Sequence, residues 1–288
     1  MDLDNNLKKI IKIINTKDTI CLLAPSFPVD YNYPDILIKL RRIGFIKIFE
    51  LTYAAKLINY RYREILKENN EKQYICANCP SVVKYIETKY PKHIDKLINV
   101  ASPMVVMGRY AKIVCPKFKT IFIGPCYAKK QEATENKEID YAITFKELNQ
   151  IFDYYEEHDL NKKIRKTEKN LDFNKLYNDY TKIYPLSGAV AKTLNYKKIL
   201  KKDQILVADG IAGIDDAIKQ MEKNKNIKLL DILFCEGGCI GGPGINSKKS
   251  SKVKINRILK YKKISQKTPM KGHFGKVDEY KNLKLERK

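Results

Sequence analysis

Arginine is scarce in this chain: 8 of the 56 cationic side chains are Arg and 48 are Lys, spread through all 288 residues. A lysine surplus accompanied by abundant Ile and Asn is a composition bias, so the net charge of +23 does not by itself mark a nucleic-acid-binding face. Long apolar runs are missing too. No stretch approaches the roughly 18 residues of a membrane span, which excludes a transmembrane helix. Met1 to Asn15 mixes Lys and Asp among isoleucines, unlike a secretion signal. The expectation is a cytoplasmic protein with no membrane and no nucleic-acid partner. No repeat of solenoid period is visible. The cysteines number seven, and an odd count without an export signal argues against a disulfide framework.

What is present suffices for a core: 44% of the residues are apolar, in a length fit for one large domain or two modest lobes. Apolar runs alternate with amphipathic stretches, the pattern of parallel sheets with crossover helices. The expected strands are 19–23, 46–50, 73–76, 97–101, 120–124, 141–144, 205–209 and 229–234. Helical spacing covers 33–43, 54–69, 81–90, 146–155 and 213–222. The fold class is therefore α/β, with two lobes, each a four-stranded mainly parallel sheet flanked by helices. Lobe one spans about 16–115 and lobe two about 116–234, followed by a loop at 235–244; together 1–246 form one domain. Residues 156–178, charged and poor in large aliphatics, read as a surface insertion. The basic tail 247–288 concentrates lysines and is expected to stay solvated.

Four strand ends carry the informative residues: Ala24-Pro25-Ser26, Cys76-Ala77-Asn78-Cys79-Pro80, Gly124-Pro125-Cys126 and Cys235-Glu236-Gly237-Gly238-Cys239. Ligand-binding residues gather at the carboxyl ends of parallel strands, so two facing sheets would make these cysteines neighbours. Thiols drawn from three loops suit an iron-sulfur cluster or a structural zinc. Zinc favours paired Cys-x-x-Cys knuckles, and only Cys76 with Cys79 offers one. Cys21, inside an apolar strand, reads as a core thiol; Cys115 reads as a core or surface thiol. Cys76 stays open as a substitute for Cys79.

Three motifs together resemble the C-terminal, cluster-binding domain of the iron-only (FeFe) hydrogenases: Asn78-Cys79-Pro80, Pro125-Cys126-Tyr127-Ala128-Lys129-Lys130-Gln131-Glu132, and Cys235 to Gly242. The resemblance implies a two-lobed domain whose cleft holds a 4Fe-4S cluster on Cys79, Cys126, Cys235 and Cys239. In hydrogenases a diiron subcluster is bridged through the residue matched by Cys239. It further implies that Lys129 contacts the diatomic ligands of the diiron site, and that Asn78 and Ser102 occupy catalytic positions of the proton path. The chain departs from the pattern at that path. Asn78 stands where the family has a cysteine, and an amide cannot donate and recover a proton as a thiol does. Along 54–69 only Glu64 remains acidic in the region expected to carry relay carboxylates. No Cys-x-x-Cys-x-x-Cys ferredoxin segment is present, so electrons are expected from a separate ferredoxin-like or other electron-transfer protein. The functions implied are weak or sensory hydrogenase chemistry, or a non-catalytic 4Fe-4S role in electron transfer, redox sensing or cluster assembly.

Overall fold

A computed structural model describes residues 3–160, 172–175, 180–194, 199–267 and 283–287. Two parallel sheets organise it. The first joins β1 (Thr19–Leu23), β2 (Lys47–Glu50), β4 (Lys119–Gly124) and β5 (Tyr141–Thr144) in the order β2-β1-β4-β5. The second joins β3 (Tyr74–Ile75), β6 (Ile205–Asp209) and β7 (Leu229–Leu233) in the order β3-β7-β6. Every neighbouring pair is parallel. Central strands β1 and β7 are buried along their whole length, which is why they read as unbroken apolar runs rather than alternating ones.

The helices follow from apolar spacing and end signals. In α1 (Asn5–Thr16) the side chain of Asp4 accepts the Leu7 N–H at 2.8 Å, and Leu7, Ile10, Ile11 and Ile14 form one buried stripe. Each such fully buried aliphatic side chain contributes about 1.5–3 kcal/mol. α2 (Asp35–Ile43) ends at Gly44, and α3 (Thr52–Glu68) follows β2. α4 (Pro80–Lys89), α5 (Pro103–Val114) and α6 (Ala128–Thr134) each begin directly after a motif residue. α7 (Phe145–Glu157) opens with a reciprocal cap between Thr144 and Glu147. α8 (Ala189–Thr193), α9 (Gly210–Lys223) and α10 (Ser251–Lys267) complete the order.

Three expectations change. The α/β reading with parallel sheets and flanking helices holds, but the second sheet has three strands, not four. Residues 97–101 contribute one parallel bridge, Ile75 to Leu97. The ladder stops there because the Val100 N–H turns back to the Ile98 carbonyl and the Ala101 N–H goes to Leu285. Sheet membership also interleaves along the chain instead of dividing near residue 115: β3 lies with β6 and β7, while β4 and β5 return beside β1. An apolar pattern specifies that a strand is buried and leaves its partner open.

The third change concerns charged segments. Residues 161–171 and 176–179 of the expected insertion lie outside the described residues, but 172–175 run beside β2, where Glu50 N–H donates to the Lys175 carbonyl at 2.8 Å. The basic tail is not wholly solvated: α10 docks through Ile258, Tyr261 and Ser265. Its Tyr261 hydroxyl donates to Glu50 at 2.8 Å, Lys182 pairs with the same carboxylate, and all three side chains are buried. Residues 268–282 of that tail lie outside the described residues.

Asp231 on β7 gives the fold a pH dependence. It is buried, one carboxylate oxygen accepts the Ala191 N–H at 2.8 Å, and the other has no partner. Burial raises its pKa from 3.8 to about 6. Above the unfolded value the unfolded chain releases this proton more readily than the folded one, so stability falls as pH rises from about 4 through 6. The shift corresponds to about 3 kcal/mol. Denaturant titrations of Asp231→Asn from pH 4 to 7 should show this decline removed; an unchanged slope would assign the pH dependence elsewhere.

Candidate metal centre

The carboxyl ends of both sheets converge on one place. β1 leads into Ala24-Pro25-Ser26 and β4 into Pro125-Cys126, on either side of the point where the chain departs from β1 in opposite directions. From the second sheet, β3 leads into Asn78-Cys79 and β7 into Cys235. Cys79 is the N-cap residue of α4, and Pro80 starts the helix without needing a donor. Backbone N–H groups of Phe234 and Val82 stabilise its thiolate form, while burial raises its pKa more strongly.

Close backbone approach positions the Cys235–Cys239 loop. Gly238 adopts φ +83° and ψ −156°, a conformation essentially reserved for glycine, and a Cβ there would lie 2.6 Å from the Pro185 carbonyl oxygen. That carbonyl accepts the Cys239 N–H at 2.8 Å. A Cβ on Gly242 would lie 2.6 Å from the Pro125 oxygen, so the loop lies directly on the segment carrying Cys126. The carbonyl of Pro125 in turn accepts the Gly244 N–H at 2.8 Å.

The four thiols are mutually close in electrostatic terms. Burial pushes Cys235 up to about 12, with Cys126 and Cys79 adding to the rise. Burial raises Cys239 further; Cys79, Cys126 and Cys235 each add to it, and Lys129 opposes. Burial disfavours the thiolate forms of Cys79, Cys235 and Cys239, and a positively charged group is what would ionise them. Among the described residues no three His, Cys, Asp or Glu side chains are grouped to hold one ion. Four thiols drawn from three loops fit a group with several metal atoms, each taking one thiolate.

Next to the thiols lies a cavity of about 80 Å³, walled by Pro25, Pro103, Met104, Phe122, Tyr184 and Pro185 and bounded by Cys79, Cys126 and Cys239. Ser26, Asn78 and Lys129 also line it. The Ser26 Oγ and Asn78 Oδ1 are buried without a partner, a costly arrangement in an apolar chamber. A guest that offers a hydrogen-bond donor to Asn78 Oδ1 and a polar atom to Ser26 would satisfy both.

Of the residues singled out from sequence, Cys79, Cys126, Cys235, Cys239, Asn78 and Lys129 thus lie around one centre. Ser102 does not line the cavity. It caps α5 and donates to Glu132 at 2.9 Å, and Glu132 accepts from Lys129 at 2.7 Å. Glu132 thereby joins Ser102 to Lys129. Lys130 pairs with Glu147 at 2.5 Å. Glu64 is largely exposed and pairs with Arg61 at 3.2 Å, so it does not reach the cavity. Cys76, Cys21 and Cys115 are buried among apolar neighbours, with Cys115 accepting from Lys47 at 3.2 Å. Pro185 escaped sequence reading, since the segment Tyr184-Pro185-Leu186 carries no local signal beyond its proline.

Iron hydrogenase 1 of Clostridium pasteurianum is 23% identical over 275 residues, covering 76% of this chain and 47% of that protein. The cytosolic Fe-S cluster assembly factor NAR1 of Encephalitozoon cuniculi is 25% identical over 220 residues, covering 69% of this chain and 58% of that protein. The chain thus spans about half the length of the curated relatives it matches. The solved structure of the [FeFe]-hydrogenase HydA(deltaEFG) shares the fold, with a TM-score of 0.64 at 13% identity over 95% of this chain and 91% of that one. The model of the iron only hydrogenase large subunit, C-terminal domain, matches residues 17–243, and the chain belongs to that family.

Proposed function

We propose that this protein binds a 4Fe-4S cluster on Cys79, Cys126, Cys235 and Cys239 and acts as a cytoplasmic redox protein. The observation that carries the proposal is the convergence of four thiols from three loops, with Cys79, Cys126 and Cys239 around one cavity and Cys235 electrostatically coupled to them. A bound cubane supplies one-electron storage. Around it the chain's own groups have definite tasks. The N–H groups of Val82 and Phe234 stabilise a Cys79 thiolate. Lys129, held by Glu132 at 2.7 Å, places a positive charge beside an anionic centre and favours its reduced form. The apolar walls keep water out of the cavity, strengthening both effects.

The cavity bears on what lies beyond the cubane. Ser26, Asn78 and Lys129 around an apolar cavity suit a diiron subcluster next to Cys239, which supports weak or sensory hydrogenase chemistry. The second reading, a non-catalytic role in electron transfer, redox sensing or cluster assembly, is favoured by a separate observation: Asn78 cannot pass protons, and Glu64 points to solvent. The assembly-factor relatives bear on this reading too.

One experiment separates them. Protein reconstituted anaerobically with iron and sulfide, then exposed to diiron-site maturation proteins, is examined by infrared spectroscopy. Carbonyl and cyanide bands establish the hydrogenase-like reading. An intact cubane spectrum without them establishes the non-catalytic one, and failure to take up iron and sulfide removes the proposal altogether.

A further inference from the structure

The two sheets have four outer edges, and the chain treats one of them differently from the rest. Beside β2 run residues 172–175, through the bridge between Phe49 and Lys175. Leu97 bridges to β3, and β5 is buried at three of its four residues. On β6 no residue is buried, and Val207 at its centre is 43% exposed. Among the described residues β6 pairs only with β7. Leu206 and Ala208 pack against the apolar cluster that holds Ile214, Ala217 and Ile218 of α9, while a Cβ on Gly188 would lie 3.1 Å from Val207 on the other face. An open groove of about 400 Å³ is lined by 206–209, by Gly213, Asp216 and Gln220 of α9 and by Ser187. The run Ile205-Leu206-Val207-Ala208 carries no Lys, no Pro and no bulge, the devices that keep a bare edge from pairing. Charge divides along this segment. Lys201 and Lys202, both exposed, precede the strand; Asp209 ends it, and exposed Asp216 lines the groove. Asp203 does not cancel the lysines at the groove, since it accepts from Asn226 at 2.8 Å.

From this arrangement we infer that the β6 edge is a self-association surface, on which a second copy of this chain pairs its own β6 antiparallel about a two-fold axis at Val207. The two three-stranded sheets then become one sheet of six strands. Two identical edges related by a two-fold axis run antiparallel, and the contact is isologous, each half repeating the other. A register centred on Val207 pairs the whole of 205–209 with itself, Ile205 opposite Asp209 at both ends. It also carries Lys201 and Lys202 of one copy toward Asp209 and Asp216 of the other, so the divided charge is complementary to itself, twice over. Backbone groups that β7 leaves unused gain partners, as in other additions of a strand to a sheet edge. Five paired residues a side fall short of the roughly 1,600 Å² of a standard stable interface, so the dimer forms and dissociates with concentration. The inference is independent of the iron-sulfur reading.

The test is sedimentation equilibrium of the full chain over a wide concentration range, with circular dichroism to establish that each variant is folded. The wild-type mass is expected to rise with concentration from 33.5 kDa toward twice that value. Val207→Lys, which places a charge on the edge, abolishes the rise. Lys201→Glu/Lys202→Glu and Asp216→Lys each lower the association constant about tenfold or more, because like charges then face each other at both symmetric contacts. An equimolar mixture of those two variants associates again, since opposite charges meet in the mixed pair. A control, Lys12→Glu/Lys17→Glu on α1, behaves as wild type. In wild type alone, amide exchange at 205–209 slows as concentration rises. A wild type that stays at 33.5 kDa throughout overturns the inference. So does a dimer that persists in folded Val207→Lys, which would place the contact elsewhere. Unchanged association in the charge-reversed variants, or a mixture no stronger than its components, removes the two-fold register. Amides of 205–209 equally protected at every concentration would show the edge already covered within one chain, and would likewise overturn it.

Discussion

Cys239→Ser protein, reconstituted anaerobically, retains little iron or sulfide, where the wild type takes up about four of each per chain. Serine is nearly isosteric, but its hydroxyl is a harder, far less acidic ligand than a thiol. The position is also the most connected of the four: the Cys239 thiol feels Cys79, Cys126 and Cys235 alike, and its N–H is fixed to Pro185 at 2.8 Å. The neighbouring Ile240 is buried and anchors the turn. A lost thiolate there cannot be replaced by a shift of the loop, because Gly238 and Gly242 already bring the backbone against Pro185 and Pro125. The companion variant Cys76→Ser keeps its iron, since Cys76 lies in the apolar core beneath the cage and not around it. Iron and sulfide quantitation with visible absorbance reads both. Equal loss in the two variants, or full retention in Cys239→Ser, would remove the proposed ligand set.

Lys182→Met lowers stability by about 3–5 kcal/mol, the range for removing one partner of a buried ion pair. Lys182 and Glu50 are both wholly buried; Thr52 donates to Glu50 at 2.8 Å, and Tyr261 donates to it from α10. Methionine fills much of the lysine volume, so the loss comes chiefly from a carboxylate left without its counter-charge rather than from a cavity. At roughly 2–4 °C per kcal/mol for a protein of this size, the midpoint of thermal unfolding falls by about 10 °C. Adding Glu50→Gln restores a large share, because the uncompensated charge is then gone. A single variant within about 1 kcal/mol of wild type would show that α10 is held by its apolar contacts alone.

Sequence by itself determined the class of the molecule and singled out the four thiols of its candidate centre. The buried strands appear as unbroken apolar runs, five of the helices as 3.6-residue stripes, and Cys79, Cys126, Cys235 and Cys239 as thiols at strand ends. Each of these rests on local chemistry, on what one residue and its near neighbours can do. Partnership is different, because it depends on which distant surfaces fit. The interleaving of β3 with β6 and β7, the reduction of 97–101 to a single bridge, the join of Ser102 through Glu132 to Lys129, and the exclusion of Glu64 were decided only in three dimensions. So was the fate of the basic tail: seven cations in α10 suggested solvent, yet one narrow stripe of Ile258, Tyr261 and Ser265 sufficed to dock it over Glu50 and Lys182.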